Sequence, residues 1–249
     1  WSLVWRTLAG GLLQVLICWS VSRWRPRGSF AWAEFQRMFA FSRWVLLESA
    51  LAWLVSWGDA IALGHYLGPE ALGLYRMGSL VIAYLSNIVF TPLVPVAFSL
   101  LSRLQDDRAA FTDSLGKLTR IVVLISLPLG VGAALTGGTA PAIVLGAHWT
   151  GAGVVVQLMG LRMGLEWLVG LNSTAFSAVG RPDMNVKTLL FAVVVSLPVY
   201  VWAAPYGLII FCWARLLTSQ LSNLIDFQFA RAVLQLPLRF LWNRLKSTV

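Results

Sequence analysis

Charged side chains are scarce in this sequence. Asp, Glu, Lys and Arg make up 12% of its 249 residues, about half of the share found in soluble domains. Hydrophobic residues make up 58%, and the mean hydropathy is +0.76. A soluble protein could not keep so many apolar side chains away from water, so the composition predicts a helical integral membrane protein. The apolar runs are long and continuous, which excludes the short alternating segments of an outer-membrane barrel.

Cysteine and histidine are also rare, and their positions exclude most sites that use them. The two cysteines, Cys18 and Cys212, lie in apolar runs and give no disulfide framework. The two histidines, His65 and His148, lie in turns between the predicted spans, where we expect solvated side chains. HExxH, GxSxG, P-loop and CxxC motifs are missing. We therefore predict that the chain is not an enzyme and that it uses no cofactor or metal.

The apolar runs divide into about seven candidate membrane spans, because a helix needs only ~20 apolar residues to cross the hydrocarbon core. Gly68-Pro69 separates the second span from the third, and Pro205 followed by Gly207 separates the sixth from the seventh. The third span contains Pro92 and Pro95, so we expect that side of it to face protein or a cavity. The predicted spans are residues 1–21, 41–64, 73–101, 121–141, 151–178, 188–203 and 206–224.

Basic residues follow these spans in alternation. The segments after spans one, three and five, together with the tail, hold 15 of the 19 Lys and Arg residues, and those after spans two, four and six hold none. This pattern places the basic segments in the cytoplasm. It also accounts for the net charge of +9 without nucleic-acid binding. Two of the basic segments, residues 23–43 and 227–249, combine Arg with apolar side chains and are predicted to lie along the membrane surface against its lipids.

Charges inside the predicted spans are the strongest functional signal. Each one costs about 2.5–3.5 kcal/mol at the bilayer centre, so such a residue is expected to face a cavity or a partner. Arg6 is a further candidate from the first span. The candidate cavity residues are Glu48, Asp59, Arg76, Arg162, Glu166 and Arg215.

Some of these charges have a plain structural alternative. Arg162 and Glu166 are four residues apart on one helix face, so they either neutralise each other or line a water-filled path that receives a phosphate. Gly160 and Gly164 form a GxxxG pattern beside Arg162, which is typical of close helix packing. Arg76 and Arg215 are each long enough to reach an interface, and Asp59 is equally well explained as a solvated helix end.

Four stretches in a fixed order resemble a known family. They are WLVSWGDAIALGHYLGPEALGLYRMG, a proline-containing helix that ends in SLLSRLQDD, then GAHW, then AVGRPDMNVK. Over residues 35–226 the chain is similar to the Wzx-type lipopolysaccharide and exopolysaccharide flippases, such as the colanic acid exporters. These belong to the multidrug/oligosaccharidyl-lipid/polysaccharide exporter superfamily.

The resemblance implies a fold and an activity. It implies two six-helix bundles that face each other across a cationic cavity and expose it first to the cytoplasm and then to the periplasm. Family members move an undecaprenyl-diphosphate-linked oligosaccharide outward across the bacterial inner membrane. By this resemblance Arg162, Arg215 and Arg76 are candidate contacts of the diphosphate, and a polysaccharide polymerase is a candidate partner.

The chain is shorter than such a flippase and begins at Trp1 rather than Met. We expect a fragment of a longer protein: the last helix of the first bundle in residues 1–22, a cytoplasmic amphipathic linker in 23–43, the second six-helix bundle in 44–226 and a basic amphipathic tail in 227–249. The alternatives are a drug/cation antiporter of the same superfamily, which requires membrane-buried acids, and an inactive structural membrane fragment.

Overall fold

The computed structural model describes residues 2–22, 31–169 and 171–234. The chain in these ranges is helical and contains no strand, which confirms the predicted all-α class. Short 3-10 turns connect several of the helices. The α-helices are α1 (Ser2–Val21), α2 (Trp32–Arg103), α3 (Arg108–Thr136), α4 (Ala140–Leu145), α5 (Gly153–Glu166), α6 (Asn172–Ala178), α7 (Pro182–Ala203) and α8 (Leu208–Leu234).

The chain divides into two compact units, residues 1–41 and 42–249. The first unit contains α1, which coincides with the first predicted span, and the beginning of α2. There Trp32, Phe35 and Phe39 stack in series, with ring centroids 5.3 and 5.8 Å apart. Residues 23–30 of the predicted surface linker lie outside the described ranges.

The second unit starts with a helical hairpin inside α2. Gly68 interrupts the helix with φ 79° and ψ −177°, a left-handed φ that favours glycine. The two arms, residues 42–67 and 69–103, then fold back on each other: Leu72 packs against Gly64, and Tyr75 hydrogen-bonds to Asp59. The predicted division between the second and third spans at Gly68-Pro69 is therefore confirmed.

Five helices in the described ranges are long and apolar enough to cross a membrane. The number differs from the seven predicted spans for two reasons. The hairpin counts as one segment of 59 residues although it contains two spans. The predicted span 151–178 is interrupted, because α5 ends at Glu166, a 3-10 turn covers Trp167–Val169, and α6 starts at Asn172. The predicted break near Pro205 is present as another 3-10 turn, Ala204–Tyr206, followed by Gly207 with φ 105°.

Two predicted boundaries are corrected by the helix ends. Lys117 and Arg120 were expected in a loop before the fourth span, but α3 already begins at Arg108 and contains both. At ~1.5 Å per residue its 29 residues exceed the ~30 Å hydrocarbon core by about two and a half turns. Residues 227–234, predicted to begin the basic tail, continue α8, in which Phe227 and Ala230 are buried. Residues 235–249 lie outside the described ranges.

Helices α3 and α5 approach each other through small residues. A Cβ atom at Gly160 would lie 2.7 Å from Ala133 Cβ, and one at Gly164 would lie 3.1 Å from Gly130 Cα. Ser126 Oγ donates a hydrogen bond to the Gly164 carbonyl across the interface at 3.4 Å. The GxxxG pattern is therefore a packing face, as predicted, and it fixes the rotation of α5.

Candidate functional site: a cationic cavity

A polar cavity of about 300 Å³ lies between α5, α8 and the second arm of the hairpin. The hairpin contributes five lining residues and α5 contributes four, in both cases at helical spacings of three, four and seven residues. These stripes place polar and charged groups in an otherwise apolar bundle. The lining residues are Ser79, Ile82, Ala83, Ser86, Asn87, Met159, Arg162, Met163, Glu166 and Arg215. Three of the six predicted cavity residues are therefore together.

Arg162 and Glu166 form an ion pair on the cavity wall. Arg162 Nη1 lies 3.1 Å from Glu166 Oε2, and the Glu166 side chain is 43% exposed against 23% for Arg162. Arg162 Nε is buried and has no hydrogen-bond partner among the described residues. The two sequence interpretations are thus compatible, because the pair balances its charge and also faces the cavity. The Gly160–Gly164 face of α5 packs on α3 and turns this pair away from it.

Arg215 enters the cavity from α8 and is held from behind by two buried residues. Its Nη1 contacts both the Asp59 carboxylate and the Tyr75 hydroxyl. Tyr75 also donates a hydrogen bond to Asp59 Oδ2, and the Ala60 backbone N–H donates one to Asp59 Oδ1 at 2.6 Å. Asp59 is 2% exposed and Tyr75 is 1% exposed. Asp59 is therefore a buried counter-charge for Arg215 and not a solvated helix end.

The helix breaks explain why these residues meet. Asp59 lies nine residues before Gly68, Tyr75 lies seven residues after it, and Arg215 lies eight residues after the turn at Gly207. At ~1.5 Å per residue each is about 10–14 Å from its turn, so the side chains reach a common level. Ring packing supports this level, since Phe211 contacts Tyr75 edge-on with centroids 5.6 Å apart.

The remaining predicted residues lie elsewhere. Arg76 follows Tyr75 by about 100° around the helix and lies in a separate groove with Trp57. Glu48 is half-buried on the first arm of the hairpin, away from this cavity. Arg6 belongs to the exposed helix α1 in the other unit.

Sequence reasoning missed several cavity residues. Tyr75 gave no signal, because a single tyrosine in an apolar run is most often a packing residue. Ser79, Ser86 and Asn87 could have been found from the sequence, since their spacing of seven and eight residues places them on one face of a charge-free helix. A partly buried hydrogen bond of 3.0 Å, which Asn172 of α6 donates to Asp226 of α8, was also missed. No group of three or more His, Cys, Asp or Glu side chains in the described ranges could hold a metal ion.

Exposed basic residues lie at the end of the bundle opposite the turns at Gly68 and Gly207. Arg181, before the first turn of α7, donates to Asp183 at 3.0 Å, and Lys187 pairs with the same carboxylate at 3.3 Å. The hydrogen bond to Asp183 raises the pKa of Arg181 above its ordinary value. On α3, Lys117 pairs with Asp113 at 2.7 Å, and both side chains are exposed. These are solvated surface pairs, which distinguishes them from the arginines of the cavity.

Long apolar helices around a cavity with arginine side chains define the class: this is a multi-pass membrane protein. Comparison with known families matches residues 1–154 to the family described as "Polysaccharide biosynthesis protein". Since the match covers more than half of the chain, the chain belongs to that family, and the resemblance found in the sequence is confirmed.

Individual relatives agree with this assignment. The chain is 24% identical over 172 residues to the teichuronic acid biosynthesis protein TuaB of Bacillus subtilis, covering 68% of the chain and 35% of TuaB. It is 24% identical over 180 residues to the lipopolysaccharide biosynthesis protein WzxC of Escherichia coli, covering 72% and 36%. It is 25% identical over 213 residues to the probable flippase AglR of Haloferax volcanii, covering 80% and 43%.

The chain therefore spans between 35% and 43% of the length of these relatives. The names of these relatives refer to teichuronic acid biosynthesis, lipopolysaccharide biosynthesis and a flippase. At that level the chain is assigned to a polysaccharide biosynthesis family. No solved structure matches the fold.

Proposed function

We propose that the complete protein containing this chain moves an undecaprenyl-diphosphate-linked oligosaccharide across the bacterial inner membrane by alternating access. In this proposal Arg162 and Arg215 contact the diphosphate. One observation carries it: two guanidinium groups from different helices line one polar cavity inside the membrane-spanning part of the bundle. Arginine suits this role because its planar N–H groups match phosphate oxygens.

The arginine donors of the cavity suit an anionic ligand. Its lining contains Arg162, Arg215 and Glu166, and Asp59 behind Arg215 brings the formal charge of the four side chains to zero. Glu166 is more exposed than Arg162, so it can turn to water when a phosphate takes its place beside Arg162. Arg162 Nε, which lacks a partner among the described residues, offers a second donor to the same phosphate. Binding would therefore exchange one ion pair for another and leave no guanidinium isolated.

The chain supplies one wall of the proposed transport path. The hydroxyl groups of Ser79 and Ser86 and the Asn87 amide give that wall neutral hydrogen-bonding groups beside the cations. We expect the facing wall to come from the rest of the complete protein, since the relatives are more than twice as long as the matched region. A polysaccharide polymerase would then receive the translocated substrate.

The alternative of a drug/cation antiporter requires a buried acid that is free to bind an ion or proton. Asp59 is the buried acid nearest the cavity, and it already accepts from Tyr75, Arg215 and the Ala60 N–H. Its carboxylate is occupied in this conformation. That occupancy favours the anion-binding proposal over the antiporter.

We predict that Arg162→Ala in the complete protein lowers surface polysaccharide about tenfold or more, because a charge-assisted hydrogen bond to phosphate contributes about 1.5–3 kcal/mol. The protein level should stay close to wild type, since Glu166 is exposed enough to remain charged alone. Polysaccharide on cells and protein in membranes are measured together, in a strain whose own copy of the gene is deleted.

Lys117→Ala is the matched control for the loss of one positive charge. Lys117 pairs with Asp113 on the exposed basic end of α3, away from the cavity, and such a surface pair contributes about 0–1 kcal/mol. Export should be unchanged. Normal export by Arg162→Ala, at a normal protein level, would remove Arg162 from the proposed mechanism.

A further inference from the structure

Arg76 belongs to a groove that the proposed transport path does not use. The groove runs between the two arms of the α2 hairpin, has a volume of about 460 Å³, and is lined by Trp57, Ala60, Ile61, Gly64, Pro69, Leu72 and Arg76. Apart from Arg76, each of these side chains is apolar or aromatic. None of them lines the cavity that contains Arg162 and Arg215.

The Arg76 guanidinium is incompletely satisfied in this groove. Its Cζ lies 4.4 Å from the centroid of the Trp57 ring, a cation–π contact. Its Nη2 is buried and has no hydrogen-bond partner among the described residues. The nearest acid on the facing arm is Asp59, whose oxygens accept from Tyr75, Arg215 and the Ala60 N–H. A guanidinium whose buried Nη2 lacks a hydrogen-bond acceptor favours binding of an anion with such acceptors.

An exposed apolar surface continues from Arg76 along the hairpin. Leu80, Tyr84 and Ile88 follow Arg76 at intervals of four residues and are exposed, so each is the neighbour of the next along a ridge that winds around the second arm. On the first arm, Trp53 and Trp57 are exposed and stack with ring centroids 6.2 Å apart. The surface therefore combines one cation at one end with a long aliphatic and aromatic stripe.

We infer that this surface is a binding site for an anionic membrane phospholipid. The phosphate binds Arg76 Nη2 in the groove, and an acyl chain lies along Leu80, Tyr84 and Ile88. Arg76 lies eight residues after Gly68, ~12 Å along the helix at 1.5 Å per residue, and its long stem can carry the guanidinium toward headgroup level. A small anion would satisfy Arg76 and leave the stripe uncovered. A neutral hydrocarbon would cover the stripe and leave Arg76 unpaired.

The inference is tested by quenching from brominated lipids at a single site. Leu80→Cys is labelled with bimane in the complete protein, in a background whose reactive native cysteines, the exposed Cys18 among them, are replaced. The protein is reconstituted into vesicles that contain brominated phosphatidylglycerol or brominated phosphatidylcholine at equal mole fraction. We expect the anionic lipid to quench with about fivefold higher apparent affinity, since one basic residue contributes about 1 kcal/mol to anionic lipid binding.

Two variants assign the preference to Arg76. Arg76→Gln should remove the difference between the two lipids, whereas Arg162→Gln, which removes the same charge from the cavity, should preserve it. If Arg76→Gln fails to fold, Arg76→Lys keeps the charge without the planar donors and should retain only part of the preference. Equal quenching by both lipids in the wild-type background, or a preference that survives in Arg76→Gln, would overturn the inference.

Competition identifies the source of the phosphate. Inorganic phosphate should leave the quenching unchanged, because it cannot cover the apolar stripe. Undecaprenyl phosphate should compete no better than non-brominated phosphatidylglycerol. Displacement by inorganic phosphate, or by undecaprenyl phosphate at a much lower mole fraction, would show that the site does not belong to a phospholipid. The measurement does not depend on export, so its outcome is independent of the proposed function.

Discussion

Asp59→Asn is expected to lower the amount of folded protein severalfold, because it leaves the Arg215 guanidinium without a counter-charge. Asp59 is buried and in contact with Arg215 and Tyr75. Removing one partner of a buried ion pair costs about 3–5 kcal/mol, most of which is the cost of an uncompensated charge. Protein level in membranes and thermal unfolding of the purified protein in detergent measure the loss. Tyr75→Phe removes only a hydroxyl group that is hydrogen-bonded to these charged groups and should cost less, about 1.5–3 kcal/mol.

The double variant Asp59→Asn with Arg215→Gln separates folding from transport. Removing both charges together is often close to neutral for stability, so the protein level should recover. Export should remain low, because the double variant lacks the guanidinium that the proposed diphosphate site requires. Recovery of export along with the protein level would show that Arg215 serves only to balance Asp59. Failure of both to recover would mean that the pair has no stable neutral replacement.

Much of the architecture could be predicted because glycine and proline residues mark two of the helix breaks. Gly68 and Gly207 both adopt a positive φ that side chains with a Cβ rarely adopt, and each has a proline within two residues. The interruption between α5 and α6 lacked such a signal. The residues of this interruption, around Trp167–Val169, are apolar, so hydropathy alone predicts one continuous span across it. The start of α3 was placed too late because charged residues in an exposed helical extension look like a loop.

The part of the candidate site that consists of charged residues in apolar runs could be predicted from the sequence. A charge in an apolar run is costly, which drew attention to Asp59, Arg162, Glu166 and Arg215. The partners of these charges depend on how each helix is rotated about its own axis, and the composition of the sequence does not specify that rotation. Tyr75 faces Asp59, whereas its neighbour Arg76 lies about 100° away in another groove. Once the hairpin at Gly68 is known, Asp59 and Tyr75 follow from their similar distances to the turn.

The contact between α3 and α5 leads to the second prediction of large effect. Gly130→Ala places a Cβ atom 2.5 Å from Gly164 Cα and 2.8 Å from the Gly160 carbonyl oxygen, closer than any van der Waals contact allows. These neighbours are backbone atoms and cannot rotate away, so the helices must separate. Overpacking of this kind costs about 1–3 kcal/mol in cores. Because α5 carries Arg162 and Glu166, its displacement should also disturb the cavity.

Gly132→Ala on the same helix provides a matched control. It makes the same chemical change two residues away, where a new Cβ would meet no atom within 4 Å. Ala has a higher helix propensity than Gly by about 1 kcal/mol, so this variant should be as stable as wild type or slightly more stable. Thermal unfolding of both purified variants in the same detergent gives the comparison. Equal melting temperatures would mean that α3 and α5 do not pack through Gly130, and the orientation of Arg162 toward the cavity would then lose its structural basis.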